Sequence, residues 1–252
     1  MRYIVVDTET TGSPEEDGRL VEIAAISRRE DGSLGEFQTY VDPGIPIPPV
    51  SRAVHHISDR DVAGAPSPAS AQEEMHIAMG AESGEVVWVA HNMAFDERFL
   101  TILEDSPKIC TYRCALHLFP DAPGHSNQVL RYWLGLDESG ELQLPEGLHP
   151  HRALYDILVT EGILRRMIRQ LLQSDCQGST EDFVLRHLID LSTRPVVLTK
   201  ARFGKHSGKT WEWIVRADRG WCDWYLRLED GDSDVRHTIL HHRRNPPQGR
   251  LI

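Results

Sequence analysis

The sequence predicts an α/β protein, a mixed sheet with helices on both faces, followed by a small C-terminal module. Three observations carry that expectation. The first forty or so residues hold three segments rich in Val, Ile and Tyr, separated by turn signals. After them, short apolar runs alternate with stretches of helical period. Near residue 175 the composition changes: residues 1–175 carry 14 Lys+Arg against 28 Asp+Glu, whereas residues 176–252 carry 13 against 10. Four of the six tryptophans, Trp211, Trp213, Trp221 and Trp224, fall in the second part.

Strands are predicted at residues 3–7, 20–28 and 36–41, broken by TGSPEEDG and EDGSLG, as an antiparallel meander. DPGIPIPPV (42–50) should be extended, because a proline biases the residue before it away from the helix. Residues 51–80 read as mostly helical, 86–90 as a short apolar strand, 94–103 as the start of a helix and 109–112 as another strand. Residues 127–134 and 152–172 are helical, the second with Ile157, Ile163, Leu164, Met167, Ile168 and Leu171 among its apolar positions. Residues 174–195 begin polar, continue amphipathic and end at Arg194-Pro195. The expected organisation is therefore a main domain (1–175), a linker with a short helix (176–195) and a module (196–252).

Composition narrows the function classes. No apolar run approaches the ~18 residues a membrane span requires. The apolar N-terminal stretch runs directly into acidic residues, which suits a buried strand and not a signal peptide. Cys110, Cys114, Cys176 and Cys222 form no CxxC pair, so reduced thiols in a cytoplasmic protein are expected. A net charge of −11 excludes a basic footprint over the whole surface. Any attraction for phosphate must be local, from bound metal ions and from the second segment.

Asp7 and Glu9 stand two apart at the end of the first predicted strand, so strand period points both carboxylates to one face. Two buried carboxylates side by side repel, and a divalent cation resolves the conflict; oxygen ligands suit Mg²⁺ or Mn²⁺. Two solvated acids at a strand end remain the alternative on these residues alone. Asp96 lies in HNMAFDERFL after a strand, and Asp156 lies in HPHRALYDILVT at the start of the long helix. Either could be a simple helix-dipole residue. His151, five positions before Asp156, should sit at the helix entrance, where an imidazole can take a proton near neutral pH.

The segments VVDTETTG, HNMAFD and HRALYD, in this order between residues 5 and 156, resemble the three motifs of the DEDD superfamily of DnaQ-like 3′→5′ exonucleases. The spacing from His151 to Asp156 resembles the histidine-containing (DEDDh) branch. The resemblance implies a ribonuclease H-like fold and a phosphodiester hydrolase. It also implies that Asp7, Glu9, Asp96 and Asp156 hold two Mg²⁺ ions (Mn²⁺ fits the same ligands), with His151 as general base. His149 is the rival base, although its spacing does not match the motif. Longer stretches, ICTYRCALHLFPDAPGHSNQVLRYWLGL, PEGLHPHRALYD and FGKHSGKTWEWI, resemble the exodeoxyribonuclease X branch. That implies action on DNA 3′ ends, single-stranded or duplex, in repair. An RNA 3′ exonuclease, a polymerase proofreading subunit and a catalytically silent binding module are the competing readings.

Thr8, Thr10 and Gly12 surround the first acids, and the resemblance places this turn near the terminal nucleotide. His55, in AVHHISD, matches a histidine near that nucleotide in relatives and is otherwise a structural histidine. Asn92 either contacts substrate or holds its turn. In the module, Lys205 and Lys209 lie between glycines and tryptophans, a pattern that can grip phosphate. Trp211 and Trp213 are either core or base-stacking residues.

Overall fold

The structure is a computed structural model that describes residues 1–28, 33–82 and 85–245. It divides into two compact units: Met1–Cys114 with Pro123–Ser192, and Ala115–Ala122 with the chain from Thr193 onward.

The first unit is built on a five-stranded mixed sheet. Its strands are β1 (Arg2–Thr10), β2 (Leu20–Arg28), β3 (Leu34–Tyr40), β4 (Val86–Ala90) and β5 (Lys108–Cys110). The order is β3-β2-β1-β4-β5, with β1, β2 and β3 antiparallel and β4 and β5 parallel to β1. The expected meander followed by α/β alternation is therefore present. The EDGSLG turn falls largely outside the described residues.

Alternate residues of the strands face two different layers. Ile4, Val6, Ile23, Ala25, Trp88 and Ala90 pack with Ala71 and Met75 of a helix, α2 (Pro68–Ala78). The opposite face carries Val5, Ala24, Ile26 and Val87, all fully buried, and α6 (Ala153–Gln173) packs against β1 and β2. Burial on both faces explains why β2 reads as a nearly continuous apolar run. Between these elements lie α1 (Pro49–His55), α3 (Met93–Asp96), α4 (Thr111–Leu118) and α5 (Asn127–Trp133).

Several sequence expectations need correction. Residues 51–80 are not one helical stretch: α1 ends at His55, His56 takes a left-handed φ of 61°, and α2 begins only at Pro68 behind the Ser67 cap. The helix expected over 94–103 stops at Asp96 and is followed by a short 3₁₀ turn, Thr101–Leu103. The strand expected to reach Tyr112 ends at Cys110, where α4 starts. The short helix expected within 176–195 is the 13-residue α7 (Glu181–Thr193), which buries Val184, Leu185, Leu188 and Leu191, and the division between the units falls after Ser192.

The second unit contains α8 (Trp211–Ala217), α9 (Arg219–Leu226) and α10 (Ser233–Arg244). Each starts on a side-chain cap, Thr210, Asp218 and Asp232 respectively. Ala201, Trp211, Ile214, Val215, Cys222, Tyr225, Val235 and Ile239 form its core. All four cysteines of the chain are free and buried. Among the described residues, no helix is long and apolar enough to cross a membrane.

Candidate active site

The register of the sheet decides which acids meet. Asp7 stands opposite Ala24 and Glu9 opposite Glu22, so all three acids lie on the face that α6 covers. Asp156 sits in the first turn of α6. One carboxylate oxygen each from Asp7, Glu9 and Asp156 lies within 4.8 Å of the others. Thr8 points to the other face, and there its hydroxyl donates to the carboxylate of Asp96 at 2.8 Å. The last strand residues of β1 thus gather acids from both sides of the sheet.

These four acids hold their protons unusually well. Burial is the first cause for each. Asp7 is raised well above the usual carboxylate range, by burial and then by Asp96, Asp156 and Glu9. Glu9 is raised to about 8 by burial and then by Asp156 and Glu22. Asp96 is raised to about 7 by burial, against the hydrogen bond from Thr8. Asp156 is raised to about 6 by burial, opposed by the backbone N–H of His151. Among the described residues none of the four pairs with a lysine or arginine. A divalent cation fits this donor set: several hard oxygens converge, and their mutual repulsion is what such a charge relieves.

His151 occupies the helix entrance, as its position in the sequence suggested. It has a left-handed φ of 63° and an exposed side chain, and its backbone N–H donates to Asp156 Oδ2 at 3.0 Å. His149 is engaged elsewhere: its Nδ1 lies 3.0 Å from the Pro150 carbonyl and its ring meets His56 edge-on at 5.2 Å. His55 is buried, with Nδ1 accepting from the Ile57 N–H. Nε2 therefore carries the proton, and it lies buried beside the Thr10 backbone without a well-formed hydrogen bond. Burial depresses the pKa of this ring.

The turn after β1 is shaped around the acids. Thr10 donates its hydroxyl to the Gly12 carbonyl at 2.8 Å, and Ser51 of α1 donates to the Thr11 carbonyl at 2.7 Å. The loop returns so closely that a Cβ on Gly18 would lie 2.2 Å from the Gly12 oxygen, so glycine is required there. Asn92 has a left-handed φ of 74°, which asparagine tolerates, and its carbonyl accepts from Phe95. The preceding His91 is a partly buried strut between Thr111 Oγ1 (2.9 Å) and the His125 carbonyl (2.8 Å). Burial lowers its pKa to about 4. Lys205 and Lys209 lie in the second unit.

Residues 4–164 match the exonuclease family (RNase_T). The chain belongs to that family. The chain is 30% identical over 244 residues to Exodeoxyribonuclease 10 of Escherichia coli (strain K12), covering 96% of this chain and 98% of that protein. A DNA polymerase III subunit epsilon-like protein of Rhodobacter capsulatus is 36% identical over 184 residues, which span 68% of this exonuclease and 24% of that protein. The solved structure of Exonuclease X in complex with 5′ overhanging duplex DNA aligns with a TM-score of 0.58 at 29% identity. It covers 75% of this chain and 99% of that one. Escherichia coli Exonuclease I in complex with a dT13 oligonucleotide shares the fold, with a TM-score of 0.54 at 15% identity over 68% of this chain and 42% of that one. The ribonuclease H-like expectation is borne out.

Sequence reasoning missed the supports of the exonuclease site. Glu22 of β2 accepts from Arg152 at 2.6 Å and from the backbone N–H of Ala153 at 3.0 Å. It therefore caps α6 from another element and aims the first turn that carries Asp156. Arg152 also donates to Tyr40 Oη at 3.0 Å. Gln128 of α5 opposes the rise in the Asp156 pKa, and its Oε1 accepts from Tyr155 Oη at 3.3 Å. The available signal was an acid inside an otherwise apolar strand, LVEIAAIS, which demands a buried partner.

Proposed function

We propose that this exonuclease is a metal-dependent 3′→5′ exodeoxyribonuclease, releasing nucleoside 5′-monophosphates from DNA ends, single-stranded and duplex, in cytoplasmic DNA repair. The observation that carries the reading is the convergence of Asp7, Glu9 and Asp156 within 4.8 Å, without a cation from the chain. It occurs in a protein alignable almost end to end with an exodeoxyribonuclease.

Asp7, Glu9, Asp96 and Asp156 are the residues to hold two divalent ions, Mg²⁺ or Mn²⁺. Bound there, the ions supply Lewis acidity toward water and positive charge toward the phosphodiester. The chain supplies position and proton transfer. His151 accepts the proton of the attacking water, and the hydrogen bond from its backbone to Asp156 keeps that base beside the carboxylates. Thr8 fixes the rotamer of Asp96, and Glu22 fixes the entrance of α6. Thr10, Gly12, His55 and Asn92 form the surroundings in which the terminal nucleotide is held, in a turn closed by the hydrogen bond from Thr10 to the Gly12 carbonyl.

A 5′-labelled DNA strand and a matched RNA strand, incubated with Mg²⁺, with chelator and with Asp7→Ala, test the reaction. The expected outcome is a Mg²⁺-dependent ladder shortening DNA from its 3′ end, at least ~10³-fold weaker in the variant. Faster loss of RNA overturns the DNA assignment, and binding without cleavage points to a silent module. His151→Ala should abolish turnover, whereas loss of activity in His149→Ala alone would reassign the base.

A further inference from the structure

We propose that the second unit carries a stacking site for single-stranded DNA, made by Phe203, Trp213, Trp221 and Trp224 and served by Lys209. The proposal rests on the reading that this exonuclease works on DNA, and goes beyond it by assigning a second hold on the strand.

Of these rings only Trp221 packs against the module's core, as a partly buried member. Trp211 is fully buried there among Ile214, Cys222, Tyr225 and Ile239. By contrast Phe203 is 41% exposed, Trp213 38% and Trp224 49%. They are not scattered. Phe203 and Trp224 flank Trp221 with ring centroids 6.3 Å and 6.0 Å from it. The buried His206 ring lies between Trp213 and Trp221, 6.1 Å from the first and 5.1 Å from the second. A contiguous patch of large aromatics left in water on a small module marks a binding surface.

The FGKHSGK segment is the clasp that holds the patch together. Gly204 (φ 61°) and Gly208 (φ 83°) turn the chain back on itself. Ala201 N–H donates to the Lys209 carbonyl at 2.9 Å, and Gly208 N–H to the Ala201 carbonyl at 2.8 Å. Lys205 Nζ and His206 Nε2 both reach Asp218 Oδ2, at 2.7 and 3.0 Å, and Asp218 caps α9 at the Trp221 N–H. These contacts lower the pKa of Asp218 to about 2, the hydrogen bond from Lys205 being the largest cause. Lys205 therefore organises the loop, while Lys209 stands beside the exposed Trp213 ring. The ammonium of Lys209 lies 4.1 Å from the centroid of the Trp213 ring.

Charge selects the occupant. Residues 200–219 contain six basic residues, Lys200, Arg202, Lys205, Lys209, Arg216 and Arg219, against Glu212 and Asp218, in a chain of net charge −11. Aromatic faces interleaved with cations suit a polyanion with free base faces, which is a single strand and not a stacked duplex.

The test uses the full-length protein in chelator, so that no strand is cut, with a 5′-labelled oligo-dT of about 20 nucleotides. In the combined Phe203→Ala, Trp224→Ala variant, affinity measured by fluorescence anisotropy should fall by about tenfold or more. Trp224→Phe, which keeps an aromatic face, should retain most of it. Mg²⁺-dependent cleavage of a trinucleotide should stay at the parent rate in both. Affinity within twofold of the parent, in a double variant that melts as the parent does, overturns the stacking site. Loss of affinity together with conversion of a dimer to a monomer also overturns it, and assigns the patch to a second copy of the chain. Failure of the functional reading itself would show separately, as a parent protein that does not cleave the trinucleotide.

Discussion

Glu22, Glu141 and Glu161 are about as buried as Asp96, and all lie in the same unit as the proposed metal-holding acids. Their surroundings differ in one respect. Glu22 pairs with Arg152, Glu141 with Arg166 and Arg169, and Glu161 with Arg28. Asp7, Glu9, Asp96 and Asp156 have no such partner among the described residues; burial raises the pKa of each, and neighbouring acids add to the rise for Asp7, Glu9 and Asp156. Burial does not separate Asp96 from these three glutamates. The difference is whether the chain provides the compensating charge, as it does for the glutamates, or does not, as for the four acids of the proposed site.

The comparison can be broken from the structural side first. Glu22→Ala strands Arg152 and removes the cap of α6. Breaking a buried pair costs about 3 kcal/mol or more. That is a fall of roughly 6–12 °C in melting temperature for a domain of this size. A shift below about 2 °C would show that this pair is not a support.

From the catalytic side the sign reverses. Asp7→Asn removes one of four repelling carboxylates, so in chelator the variant should melt about 2–4 °C above the parent while losing turnover. With saturating Mg²⁺ the order should invert, because the parent gains binding energy that the variant lacks. A variant less stable than the parent in chelator would contradict the repulsion.

The smallest effect is the pH dependence of the metal-free protein. A carboxyl whose pKa is raised by folding holds its proton better folded than unfolded. The stability this confers is complete below the ordinary carboxylate value near 4 and is lost as pH rises through the folded value. For Asp156, Asp96 and Glu9 the folded values are about 6, 7 and 8. The chelated parent should therefore lose a few degrees of melting temperature between pH 5 and 8, and the slope should flatten in Asp7→Asn. Thermal melts across that range with and without Mg²⁺ decide it, since a flat chelated profile would exclude the coupling.

Much of the first unit was legible because its signals are local. β2 and β4 were read with their observed bounds, and α5 and the long α6 to within a residue or so. The helix α4 was hidden because CTY, rich in strand-favouring residues, continues the apolar run of β5. A short helix was expected in 176–195, but that α7 buries Val184, Leu185, Leu188 and Leu191 has meaning only against the rest of the unit. In the module, the sequence left core and base stacking open for Trp211 and Trp213. Packing separates them, burying the first and exposing the second.

By itself the sequence determined the order of the motifs, the alternation that sets Asp7 and Glu9 on one face, and the helix start that carries Asp156. These follow from strand and helix periods, which act over a few residues. Only the tertiary structure decided that Glu22 would cap α6, that Thr8 would hold Asp96 from the opposite face, and that Lys205 would close a loop on Asp218. Each of those is a contact between elements distant in the chain or turned toward one another by packing. Burial then fixes the partner, because a polar group removed from water must find one.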